Sequence, residues 1–192
     1  TDVGHLILAA RSEEKLEKLA FDIRTESQLD AVVTTDIAEA CRGADIVVAV
    51  TSATDSIVAP QWLKPGAIVC DVARPRNVSR RVAEERQDVL VFEGGVVEVP
   101  GDAHFGLDFG FPPRTSYACM AETMILALEG RYENFTLGRD LSVEQVNEIA
   151  DMAARNGFRV SGLRSFERAI TEEWIDRVKR NARRTQAVAV PN

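Results

Sequence analysis

The sequence lacks the residues that staple small secreted or metal-bound folds. Its three cysteines, Cys41, Cys70 and Cys119, cannot all pair and form no C-x-x-C spacing, which argues against a disulfide framework and against structural zinc. A reducing, cytoplasmic setting is the one expected. No apolar run approaches the ~18–20 residues needed to cross a bilayer, and no basic, apolar leader is visible. Of the two histidines, His5 opens a strand and reads as structural, while His104 lies in a loop from which it could donate a proton. Excess positive charge is lacking too. The net charge of −7 argues against general nucleic-acid binding. One segment runs the other way: "RVKRNARR" (177–184) holds five basic residues and no acid, which leaves −12 on the rest once its +5 is taken from the net −7.

What is present is an alternation of short apolar strands and amphipathic helices. "HLILAA" (5–10) reads as a strand, followed by a helix capped at Ser12 with Leu16, Leu19, Ala20 and Ile23 on one face. "AVVT" (31–34) is the next strand, and Asp36 with Glu39 makes a capping box for a helix ending near Gly43. "ADIVVAV" (44–50) and "AIVCDV" (67–72) are continuous β-branched runs, expected to be buried on both faces. "SRRVAEER" and "VLVFE" add a helix and a strand. This order predicts a Rossmann-like, doubly wound parallel α/β sheet. Such a domain opens with strand, glycine-rich turn and helix, and nothing here matches that opening. The first strand is therefore expected to be missing from the sheet, with the chain starting at Thr1 inside a fold unit. The expected organisation is a partial NADP-binding domain over 1–115 and a C-terminal helical region over 116–192, packed on the sheet.

In the second half, "GGVVEVPGDAHFGLDFGFPPRT" (94–115) reads as a long ordered loop or hairpin. A helix is expected from about Ser116 to Glu129, stopped by Gly130; a second from a Ser142–Gln145 capping box to Gly157; a third over about 166–184, with Ala169, Ile170, Trp174, Ile175 and Val178 on its apolar side. "FRVSGL" reads as a short strand between the last two.

Arg11 and Ser12 follow the strand "HLILAA", where a dinucleotide fold meets the adenosine ribose. Arginine there suits the 2′-phosphate of NADPH, because its planar fork gives paired charge-assisted hydrogen bonds; the plain alternative is a residue opening a surface helix. Thr51 and Ser52 end "ADIVVAV" at the carboxyl edge, where they either line a cofactor crevice or make an ordinary turn. Gly94 and Gly95 follow the last strand and permit either close approach of a ligand or a simple turn. Asp71 is expected to cap its own loop.

Cys119 is expected at the third or fourth position of its helix, after an N-cap at Thr115 or Ser116. Thiolate is favoured there by the helix dipole and free N–H groups. Tyr117, Met120, Ala121, Met124 and Leu128 make the expected core stripe, and Cys119 lies opposite, beside Glu122, Thr123 and Leu126. Free cysteine is also a common core filler, so nucleophile and filler both stand on these residues alone. Cys41 and Cys70 read as structural.

"LILAARSEEKLEKL", "ADIVVAVTSA", "VFEGGVVEVPG", "YACMAETMILALEGRYENFTLGR" and "GFRVSGL" together resemble the long-chain acyl-[acyl-carrier-protein] reductases, over about His5 to Leu163. The resemblance implies an NADPH-dependent reductase that converts fatty acyl thioesters to aldehydes. The cysteine of the motif matching "YACMAE" takes the acyl group, and Cys119 is the matching residue; Arg11 matches the family's arginine after the second strand. The implied partner is an acyl carrier protein or acyl-coenzyme A. The basic segment 177–184 reads either as a docking site for the carrier's acidic surface or coenzyme A phosphates, or as a solvated helix end where cations suit the dipole. The family's glycine-rich turn and N-terminal region have no counterpart here, the 98–119 loop is shorter, and the basic last helix is unmatched. The competing expectations are a shikimate-dehydrogenase-like NADP-dependent enzyme using direct hydride transfer, and a non-catalytic fragment.

Overall fold

The computed structural model describes residues 3–107, 110–138, 141–166 and 168–189. They form two compact units, one of residues 1–92 with 170–192 and one of residues 93–169. The α/β architecture expected from the sequence is present.

In the first unit, β1 (Leu6–Ala9) pairs in parallel with β2 (Ala31–Thr34), in register Leu6 to Ala31. The helix between them, α1 (Glu13–Ser27), buries Leu16 and Ala20, while Leu19 is 47% exposed and leaves the expected stripe. Ser12 occupies the N-cap, but only its carbonyl is used, by the Leu16 N–H. Before α2 (Ile37–Gly43), Asp36 accepts from the Glu39 N–H. The reciprocal half of that capping box is not made, because Thr34 supplies the Asp36 N–H with its acceptor.

A second sheet holds β3 (Ile46–Ala49), β4 (Ile68–Asp71) and β5 (Leu90–Glu93), in that spatial order, with α3 (Arg80–Glu85) between β4 and β5 in sequence. β3 and β4 are parallel, with Ile46 opposite Ile68. Dinucleotide-binding sheets run 3-2-1-4-5-6. Here β2-β1 corresponds to 3-2 and β3-β4-β5 to 4-5-6, and no strand of the described residues joins the two groups. β3 therefore lies at an edge among the described residues. The expectation that it is buried on both faces is corrected by Ile46, 62% exposed, and Val48, 57% exposed. A strand is buried on both faces only where helices cover both; Ile46 and Val48 share one face and are open, while Ala49 on the other is buried. The chain's last helix, α6 (Glu172–Ala189), also belongs to this first unit, with Val178 and Ala182 buried.

In the second unit, β6 (Val96–Glu98) pairs antiparallel with β7 (Thr115–Tyr117) and with β8 (Arg159–Val160), so the glycine- and proline-rich segment is a hairpin. Asp108 and Phe109 of that segment lie outside the described residues. Helices α4 (Ala118–Leu128) and α5 (Val143–Arg155) pack around Val99, Ala121, Ile125, Met152 and Phe158. α5 carries the complete Ser142–Gln145 box expected for it. α4 ends at Gly130 (φ 69°), whose left-handed backbone lets the Arg131 N–H reach the Leu126 carbonyl. The last helix starts later than expected. Residues 164–165 and 168–169 pair as a small antiparallel ladder, β9 and β10, so Ala169 is an exposed strand residue and not part of a helix face.

Candidate functional site

Two groups of candidate residues can be built from their elements, one in each unit. At the carboxyl ends of the first unit's strands, Arg11 lies two residues past the end of β1 and is exposed, with no hydrogen bond or ion pair among the described residues. A cation held in place by backbone alone, at the strand end, is available to an anion. Ser12 beside it is half-buried.

After β3 the backbone is held by a side-chain network. Thr51 donates to Asn77 Oδ1 (2.7 Å) and accepts from the Ala53 N–H (3.1 Å), while Asn77 Nδ2 donates to the Ala53 carbonyl (3.1 Å). Asn77 is fully buried, and its own carbonyl accepts from the N–H groups of Ile57 and Val58. The loops after β3 and β4 are thereby stitched into one edge. Thr51 is consequently a structural member of that edge, and Ser52 next to it is exposed. Asp71 takes the capping role expected: buried, it accepts from Ala73 N–H (3.1 Å) and Val78 N–H (2.9 Å). Asn77 was not singled out from the sequence, although the segment "CDVARPRN" that contains it marked the loop; an asparagine in a proline loop gives no signal of burial by itself.

In the second unit, Gly94 and Gly95 join β5 to β6. Gly95 has φ 72°, a conformation that favours glycine. Its carbonyl accepts from the Ala118 N–H (2.8 Å), the first of the four N–H groups that α4 leaves unsatisfied at its start. No capping side chain serves that helix; its N-cap is Tyr117. This places Cys119 at the second helical position, one or two earlier than expected. Thr115 and Ser116 belong to β7 instead, with Ser116 wholly buried opposite Val97. The core face of α4 is also rotated from the expected stripe: Ala121, Ile125 and Leu126 are buried, whereas Leu128 is 63% exposed. Cys119 is exposed.

The other thiols differ. Cys41 is buried, and that burial raises its pKa; Cys70 is half-buried and raised first by desolvation and then by the charge of Asp71. Of the three, Cys119 is the most open to a reagent in water.

Two grooves flank α4. One, of about 670 Å³, has mixed polarity and runs between Glu122, Thr123, Leu126 and the segment 131–137. Its wall is fixed by Thr136 donating to Glu122 and by Arg131 bound to Glu133 (2.6 Å) and Glu148. The other, of about 430 Å³, is lined by Phe105, Met120, Thr123, Met124 and Ala127. His104 is exposed and lies 3.6 Å from Asp102, and His5 pairs with Asp30 at 3.2 Å. No group of His, Cys, Asp and Glu placed to hold a metal ion occurs among the described residues, and no helix is long and apolar enough to cross a membrane. The five cations of 177–184 are exposed on α6; Lys179 lies 3.5 Å from Asp176, and Arg177 stacks over Trp174 at 5.6 Å.

Residues 1–89 match the model of the ornithine cyclodeaminase/mu-crystallin family. The chain is 37% identical over 138 residues to the aminotransferase PigE of a Serratia species, covering 70% of this chain and 16% of that protein. It is 32% identical over 163 residues to the long-chain acyl-[acyl-carrier-protein] reductase of Synechococcus elongatus, covering 82% of this chain and 46% of that protein. It is 38% identical over 82 residues to the mouse ketimine reductase mu-crystallin, 42% of this chain and 25% of that one. The chain thus spans less than half the length of these relatives. Any continuous stretch covering 70% or 82% of a 192-residue chain must include Cys119, wherever it begins. The family-model match ends before it.

Proposed function

We propose that this chain reduces a fatty acyl thioester to the aldehyde, with NADPH as reductant and Cys119 as the acyl carrier on the enzyme. The observation that carries this reading is the exposed Cys119 at the second position of an uncapped helix, inside the stretch shared with the acyl-[acyl-carrier-protein] reductase. The Cys119 thiolate attacks the carbonyl carbon of the incoming thioester. The bond to the carrier's sulfur breaks, and that thiol leaves with a proton. N–H groups of the first turn of α4 hold the developing oxyanion, with the Ala118 N–H already occupied by Gly95. When bound, NADPH supplies the hydride that releases the aldehyde.

The strand-edge residues fit one part of that cofactor. Arg11, exposed and without a protein partner among the described residues, suits the 2′-phosphate. In this reading Thr51 and Ser52, at the carboxyl edge of β3, would line the cofactor site. The glycine-rich turn that cradles the pyrophosphate in this fold is not among the 192 residues, so no residue is assigned to that group. In this reading the sheet unit binds cofactor and the second unit carries the thiol. The acyl group arrives on an acyl carrier protein or coenzyme A, and the exposed cations of α6 supply charge complementary to either.

A second reading, direct hydride transfer to a C=O or C=N bond without an acyl-enzyme, is favoured by the matches confined to the sheet half, the family model and mouse ketimine reductase. Substitution separates them. Cys119→Ala should lower aldehyde formation from an acyl thioester by roughly a thousandfold or more, as loss of a nucleophile does, with NADPH affinity unchanged. Full activity in that variant contradicts the acyl-enzyme.

A further inference from the structure

The geometry points to the groove of Phe105, Met120, Thr123, Met124 and Ala127 as the subsite for the alkyl tail of the acyl group held on Cys119. The inference rests on the acyl-enzyme reading above and adds where the tail lies and which side chains set its length.

Successive residues of an α-helix turn by about 100°. Taking Cys119 as the origin, Thr123 lies at about 40°, Ala127 at about 80°, Met120 at about 100° and Met124 at about 140°. These five form one continuous arc that starts at the thiol and turns away from it in one direction. The last four are lining residues of the groove. The link between Cys119 and the groove is local and covalent in origin: Met120 is its neighbour in sequence, and Thr123, one turn on, donates to the Cys119 carbonyl at 3.4 Å.

The chemistry of the lining selects the occupant. Phe105, Met120, Met124 and Ala127 present hydrocarbon and thioether, and the one hydroxyl, on Thr123, is turned to its own helix backbone. Met124 and Phe105 also pack on the buried cluster of Val99, Ile125 and Met152, so the groove floor is the core itself. Methionine adapts its shape to a flexible apolar guest. From Met120 to Ala127 the groove follows about 10 Å of helix at 1.5 Å per residue, and its volume of about 430 Å³ is within the range of ligand pockets. The neighbouring groove shares Thr123 and Ala127 but is walled by Glu122 and Arg131. Burying methylenes against those charges would strip their water without return.

The test measures the rate at which Cys119 becomes acylated, by intact mass, using saturated acyl-coenzyme A esters of increasing chain length and no NADPH. With the unaltered chain the rate should climb by two- to fourfold for each added methylene, as partial to full burial of a CH₂ gives, and then level off once the groove is full. Met120→Gln and Met124→Gln should each flatten that dependence by at least half, while iodoacetamide labels Cys119 within twofold of the unaltered rate, which shows that the fold and thiol are intact. Tyr132→Ala, in the wall of the mixed groove, should leave the dependence as it was. Acylation that is independent of chain length overturns the tail site alone. Dependence lost in Tyr132→Ala but kept in both glutamine variants overturns it as well, by placing the tail in the other groove. No acylation at any length overturns the acyl-enzyme reading, and the subsite with it.

Discussion

At the scale of single residues, exposure separates the three thiols. Cys119 is exposed, while burial raises the pKa of Cys41 and of Cys70, so fewer of their molecules are thiolate at neutral pH. Limited iodoacetamide at pH 7.5 should therefore modify Cys119 first, with at least tenfold slower labelling of the other two, as read by peptide mapping; comparable labelling of Cys41 would contradict this. The exposure of Cys119 agrees with its expected place off the core face, but the stripe that supported it does not: Leu126, placed beside Cys119, is buried and Leu128 is exposed. The surroundings of Thr51 were not legible in the sequence. Its hydroxyl is bound to Asn77, 26 positions away, and no local pattern announces a contact at that separation. Asp71 was legible because its partners, Ala73 and Val78, lie within seven residues.

At the scale of elements, two helix starts moved from where they were expected because tertiary hydrogen bonding overrode local signals. Thr115 and Ser116 are good N-cap residues after two prolines, but their backbone is drawn into the ladder with Glu98 and Val97, and α4 begins only after it. The final helix likewise gives up Ala169 to a short ladder with Arg164. Where the cap was self-contained, as in the Ser142–Gln145 box of α5, sequence and structure agree. The corner between α3 and β5 is a further element that the sequence did not mark. There Arg86 binds Asp88 through Nε (2.8 Å) and Nη2 (2.9 Å), and its Nη1 donates to the carbonyls of Pro60 (2.6 Å) and Leu63 (2.7 Å). Both side chains are largely buried, and the hydrogen bond from Arg86 is the main cause that holds the Asp88 pKa below its ordinary value. A depressed carboxylate pKa contributes stability that is complete above the unfolded value, about 3.9, and is lost as pH falls toward the folded one. Asp88→Asn should then cost roughly 2–4 kcal/mol at pH 7, with the difference from the unaltered chain shrinking below about pH 4. Urea midpoints at pH 7 and pH 3 check this, and an equal difference at both would contradict the ion pair's role.

At the scale of the whole molecule, the order of strands was the most legible feature, because β-branched runs of four to seven residues separated by helical stretches define it without reference to partners. The parallel pairings of β1 with β2 and of β3 with β4 follow it. The exposure of one face of β3 was not legible, since a continuous apolar run looks the same whether one face or both are covered. The exposed Ile46, Val48 and Val50 mark that difference. The candidate residues fall in both units: Arg11, Thr51 and Ser52 at strand ends in one, and Gly94, Gly95 and the exposed Cys119 thiol in the other. The central claim is that this thiol accepts an acyl group. The direct measurement is intact mass, followed by peptide mapping, of the full chain mixed with a long-chain acyl-coenzyme A in the absence of NADPH. The account predicts a single added acyl group on the peptide containing Cys119, absent from Cys119→Ser. An unmodified mass, or an adduct that persists in Cys119→Ser, would contradict it.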